Sequence, residues 1–148
     1  HSLININKII NDFKVIALIE PLGFNQSSLR LKSLTGDVIN SFQSNKLKIV
    51  HDTFHHALAC ENKFIPSLTG LVHFSGVSNM YKNIELNDEH RSIVDANDIL
   101  ENLTQIKTLT SSEYKGYFSF EPFSKALIKD KNIFKIVKNS FNFISSNI

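Results

Sequence analysis

Apolar residues along this 148-residue chain follow two rhythms. Four short runs are apolar almost throughout: FKVIALI before Glu20, KLKIV before His51-Asp52, LTGLV before His73, and YKGYFSF before Glu121. Runs this rich in Val, Ile, Leu and Phe suit strands buried on both faces of a parallel sheet. Elsewhere the spacing is helical. Leu3, Ile6, Ile9 and Ile10 predict a helix over Ser2 to Asp12, and Leu31, Leu34, Val38 and Phe42 predict one face of a second, capped by Ser27 or Ser28. HHALACENKFIPS holds at most a short helix before Pro66. Ile99, Leu103 and Ile106 predict a helix from about Asp98, capped by Asp95 or Asn97. Ile133, Val137, Ser140 and Ile144 mark a final one.

The order is a helix and then four strand–helix units, which implies right-handed crossovers and a parallel sheet. The expected fold class is α/β, as one domain over 1–148. Four such units make an open sheet or half of a (β/α)8 barrel. Ser75 to Asn97 is left as a long polar stretch of the kind that often carries function.

Composition narrows the classes. A hydrophobic content of 42% fits a soluble domain with a real core. The net charge of +2, with lysines scattered singly, gives nucleic acid no support as a partner. The single cysteine, Cys60, excludes an intrachain disulfide and suits a reducing cytoplasm, where the protein is expected. No apolar stretch reaches membrane-spanning length, so no membrane partner is expected. Met80 is the only methionine and the chain begins HSLININ, so the N-terminus reads as processed, cut or joined to a cloning remnant. No glycine-rich phosphate loop follows the first strand.

The strand ends carry the candidate chemistry. Each of the four apolar runs stops at a side chain that binds hard or borderline metal ions: Glu20, Asp52, His73 and Glu121. Parallel strands present their C-terminal ends on one rim, so the four can converge on one divalent ion and leave positions open for substrate. Glu20-Pro21 and Glu121-Pro122 repeat the same exit, since proline cannot continue a ladder. A turn after Asp52 can bring His55 back beside the metal or substrate. Alternatively, Asp52 simply caps a helix and the histidines lie on the surface. Arg91, in the charged segment Asn87 to Arg91, can hold a substrate hydroxyl, carboxylate or phosphate.

EPLGF, HDTFHHAL, VHFSGV, DEHRSIVDANDIL and YFSFEPF, in that order, resemble the C-terminal half of the xylose isomerase-like TIM barrels. The resemblance runs from about Phe13 to Phe123 and is strongest to inosose isomerases and ketose 3-epimerases. It implies metal ligands at Glu20, Asp52, His73 and Glu121, with His55 and Arg91 on the substrate. In the reaction expected from this, Glu20 and Glu121 remove a proton from a sugar, keto-inositol or related polyol and return it through an enediolate. The ion stays open among Mn, Mg, Co and Zn. Endonuclease IV, a three-zinc phosphodiesterase of abasic DNA in the same superfamily, is the competing resemblance, with Asp88-Glu89-His90 matching its Asp-x-His motif. Against it, Val94-Asp95-Ala96-Asn97 lacks the glycine that follows that motif. A half-barrel is expected to self-associate or to pair with an N-terminal half, and an inactive truncated half-barrel is the third alternative.

Overall fold

The computed structural model describes residues 2–148. Its elements run α1 (Ser2–Phe13), β1 (Ala17–Ile19), α2 (Lys32–Ser41), β2 (Leu47–Asp52), α3 (Thr53–Ala59), β3 (Thr69–Phe74), α4 (Asn102–Thr110), β4 (Phe118–Phe120), α5 (Lys125–Ile128) and α6 (Ile133–Ser145). The four strands pair in sequence order, and every pairing is parallel. This is the arrangement of half a (β/α)8 barrel, with all strand C-termini on one rim.

Helices cover one face of the sheet. Leu47 and Ile49 of β2 are buried there with Ile10 of α1 and Ile39 of α2. Val72 of β3 meets Leu109 of α4 and Tyr114, while Phe74 meets Ile106 and Ile144. The opposite face is open, and Leu18 and Tyr117 are exposed there. Both edge strands, β1 and β4, are three residues long.

One irregularity decides which face His73 occupies. Ile49 pairs with Thr69, but Val50 pairs with Leu71, so Gly70 is an extra residue in β3. Strict alternation from Thr69 would put His73 among the helices. The bulge turns it to the open face, opposite Asp52. A Cβ at position 70 would stand 2.5 Å from Leu18 Cδ2 and 2.9 Å from Lys48 Cβ, so only glycine fits unshifted.

Two helices depart from the expected starts because their caps come from afar. α2 begins at Lys32, not after Ser27 or Ser28. Its first N–H groups, on Lys32 and Ser33, donate to the Glu61 carboxylate beyond α3. Its buried face is Lys32, Thr35, Gly36 and Ile39, while Leu34 of the expected stripe lies exposed. α4 begins at Asn102, four residues after Asp98, and neither Asp95 nor Asn97 caps it. Asp98 accepts from the Asn102 backbone and also from Val77, tying the helix start to the preceding segment. The final helix follows expectation: Ser140 and Ile144 are buried, and Ser140 Oγ donates to the Val94 carbonyl at 2.6 Å.

The polar stretch from Ser75 is well anchored. Gly76 and Ser92 exchange two backbone hydrogen bonds, and short 3-10 turns form at Asn79–Tyr81 and Asp88–His90. A Cβ on Gly76 would lie 2.2 Å from the Ile93 carbonyl oxygen, so glycine permits this close approach. The bridge fixes Ser92, and with it Arg91, over the rim.

Candidate metal centre

Glu20 leaves β1, Asp52 ends β2, His73 is the penultimate residue of β3 and Glu121 follows β4. Each offers one ligand atom, and all four atoms lie within 4.8 Å of one another. Among the described residues no other group of three or more acidic, histidine or cysteine side chains converges in this way. His73 Nδ1 lies 3.1 Å from Glu121 Oε1 and 3.6 Å from Glu20 Oε1. Neither contact has hydrogen-bond alignment, for His73 Nδ1 and Glu20 Oε1 are buried with no partner. Orphaned buried polar atoms are costly and uncommon. A cation between these atoms would satisfy both, so the donor set fits a divalent ion with oxygen and one imidazole nitrogen.

The two remaining carboxylates are bound differently. Asp52 is indeed a helix cap, Oδ1 accepting from the His55 backbone N–H at 2.9 Å, while Oδ2 accepts from Arg91 Nη2 at 2.5 Å. The same Nη2 donates to Glu121 Oε2 at 2.7 Å. Arg91 Nε donates to Ser75 Oγ and Nη1 to Asp88 Oδ1. The guanidinium is sandwiched by the rings of Phe54 and Phe123, its carbon 5.0 and 4.7 Å from their centres. With residue exposure of 1% and four of five donors committed, it keeps a single Nη1 proton for anything else.

His55 stands beside the group, its ring edge-on to Phe24 and Phe54. Burial first, and then the Arg91 charge, push its pKa down to about 4, so the ring is neutral at neutral pH. Its Nδ1 is buried and unpartnered. Glu20 is shifted the other way. Burial, followed by the charges of Asp52 and Glu121, raises its pKa against the opposing pull of His73 and Arg91. Asp88 and His90 do not join the group. His90 Nδ1 accepts from the Asn87 backbone N–H, closing the cap of its own turn, and the ring packs on Tyr81.

Sequence patterns alone did not reveal a second polar cluster on the helix side of β2. Lys32 Nζ lies 2.5 Å from His51 Nδ1 and 2.9 Å from His56 Nδ1. Gln105 Nε2 donates to the carbonyls of Thr53 and Leu100, which leaves its Oε1 to accept from His51 Nε2. His51 Nδ1 therefore carries the lone pair that receives the lysine. Helical spacing had marked the exposed Leu34 rather than Lys32, and no local signal links positions 32, 51, 56 and 105.

No family model matches the sequence, and no curated protein does. Solved structures do. A xylose isomerase domain containing protein from Salmonella typhimurium LT2 superposes with a TM-score of 0.85 at 30% identity, over 95% of this chain and 54% of its own. The IOLI protein, solved with a binding zinc atom, gives 0.77 at 18% identity, over 99% of this chain and 55% of its own. The 3-keto-D-glucoside 4-epimerase YcjR from E. coli, in its apo form, gives 0.69 at 16%, over 98% and 51%. The chain thus spans about half the length of the structures it matches.

Proposed function

From a chain that has the fold of the xylose isomerase-like barrels, we propose the C-terminal half of a divalent-metal-dependent isomerase or epimerase. Its substrate would be a sugar, a keto-inositol or a related polyol. The observation that carries this reading is the convergence of Glu20, Asp52, His73 and Glu121 on one rim, with two buried atoms left unpartnered. A zinc-bearing neighbour and an epimerase neighbour of the same fold support it.

In this proposal the four side chains hold one ion, of Mn, Mg, Co or Zn. When bound, the ion polarises a substrate carbonyl and the adjoining hydroxyl, acidifying the C–H bond between them. Glu20 and Glu121 flank His73 and are the pair that removes and returns that proton through an enediolate. They are not equivalent. Glu121 has one oxygen on Arg91, whereas Glu20 Oε1 has no hydrogen bond. In this reading the neutral His55 ring meets a substrate oxygen. Arg91 reaches substrate only through its one uncommitted proton.

The open face and the two edge strands need covering, so the protein is expected to act with a complementary half-barrel, from its own N-terminal side or from a second copy. No described helix is long and apolar enough to cross a membrane. Cys60 is exposed and unpaired, which favours a reducing, cytoplasmic setting. Asp88 and His90 lie outside the converged group, and this argues against the endonuclease IV reading.

The deciding experiment follows hydrogen exchange from ketoses and keto-inositols into deuterated water, using metal-replete and chelator-treated protein. Exchange that depends on added metal is expected. A metal-replete complete barrel that exchanges hydrogen from none of these substrates would overturn the proposal.

A further inference from the structure

Resting on the metal reading above, we infer that Arg91 is a resident counter-cation for the site, holding Asp52 and Glu121 together when no ion is bound. A single nitrogen, Nη2, spans the two carboxylates at 2.5 and 2.7 Å. Asp52 is buried and Glu121 partly so, and carboxylates this close repel one another unless a positive charge lies between them. Arg91 supplies that charge from a fixed position. Its backbone carbonyl accepts from Phe123 and Ser124, its backbone N–H donates to Asp88, and Ser92 is bridged to Gly76. Ser75 Oγ and the two phenylalanine rings fix the guanidinium end. A group so held cannot swing to follow a substrate. It is suited to keeping a site assembled.

The four ligands therefore fall into two pairs. Asp52 and Glu121 are organised by the protein before an ion arrives, whereas Glu20 Oε1 and His73 Nδ1 wait without partners. An incoming ion relieves little strain in the first pair and completes the second. Remove the guanidinium, and the ion becomes the only cation separating Asp52 from Glu121. The metal-free state should weaken, and the stabilisation gained on adding metal should grow.

Thermal unfolding of the intact protein tests this, using wild type, Arg91→Met and Arg91→Lys, each chelator-treated and then measured with and without excess Mn2+ or Zn2+. The expected result is a lower metal-free midpoint in Arg91→Met and a metal-induced rise several degrees larger than in wild type. Arg91→Lys, which keeps the charge but loses the Nε and Nη1 hydrogen bonds that fix it to Ser75 and Asp88, should fall between. An ordinary packing role would lower both midpoints in parallel, and equal metal-induced rises in wild type and Arg91→Met overturn the inference. Folding of Arg91→Met only in the presence of metal supports it. Should Arg91→Met not fold at all, Arg91→Lys decides, and a rise no larger than that of wild type rejects the idea. If wild type shows no rise with either ion, the metal reading and this inference fall together. If wild type rises and the variants rise equally, only the inference falls.

Discussion

Two polar clusters lie back to back on β2, built on neighbouring residues that face opposite ways. On the helix side, His51 meets Lys32, His56 and Gln105, and no buried nitrogen or oxygen of these four side chains lacks a partner. On the open side, Asp52 joins Glu20, His73 and Glu121, and two buried atoms are left over. Both sets contain histidine and charge. The difference is stoichiometric: the Lys32 amine meets both helix-side imidazoles, whereas the single guanidinium of Arg91 faces three rim carboxylates. A buried polar cluster invites a ligand where its own donors and acceptors do not close. The rim cluster is the open one.

The largest expected effect breaks the open cluster while sparing the closed one. Glu20→Gln and Glu121→Gln keep shape and remove the acceptor for the transferred proton. In the complete barrel each should lower turnover by roughly a hundredfold or more, with solvent hydrogen exchange falling in step. The fold should persist, because neither residue contacts the Lys32 cluster. Near-normal exchange in both variants would show that the proton moves by another route.

Next in size is the register that separates the clusters. Gly70→Val puts a Cβ against Lys48 Cβ, which cannot rotate away as the tip of Leu18 can. Overpacking of this kind costs about 1–3 kcal/mol. Because the same bulge turns His73 toward Asp52, metal affinity should drop together with the denaturation midpoint. Unchanged metal affinity in a destabilised Gly70→Val would separate the bulge from the site.

The closed cluster should announce itself through pH. Burial lowers the Lys32 pKa from 10.5 to about 7, with Glu61 and Asp52 opposing. Between these values the unfolded chain binds more protons than the folded one, so stability falls as pH drops from about 10.5 to about 7 and then levels. His56, lowered from 6.5 to about 4 by burial and by Lys32, adds a second decline as pH falls through that window. Denaturant melts of wild type and Lys32→Met across pH 6 to 10 check the first window, and the slope should flatten in the variant. An equally steep slope in Lys32→Met would assign it to other groups.

The rim was legible in the sequence because strand ends are a local property. An apolar run stops, a ligand residue follows, and parallel topology aligns the ends. The helix-side cluster and the true starts of α2 and α4 were not, since they depend on partners distant in sequence. Glu61 caps a helix that begins nearly thirty positions earlier, and Lys32 finds its imidazoles on β2 and α3. The bulge at Gly70 lay in plain view within LTGLVH. Its consequence for His73 emerged only when β3 was paired with β2. Arg91 was found, but its commitment to Asp52 and Glu121 needed the fold.

The smallest expected effect sharpens the boundary of the open cluster. Asp88 and His90 neighbour Arg91 in sequence and would be zinc ligands in an endonuclease IV-like protein. Here Asp88 touches the site only through Arg91 Nη1 at 3.3 Å, and its side chain is half exposed. His90 spends Nδ1 on capping its own turn. An ion pair this long, with its carboxylate half exposed, contributes about 0–1 kcal/mol. Asp88→Asn should therefore leave metal content unchanged and stability nearly so, and His90→Asn should only loosen the Asp88–His90 turn. Metal analysis of purified variants checks both. Loss of bound zinc in either variant would extend the site beyond the four strand-end ligands and restore the nuclease reading. Unchanged metal content with unchanged solvent exchange would place Asp88 and His90 outside the chemistry.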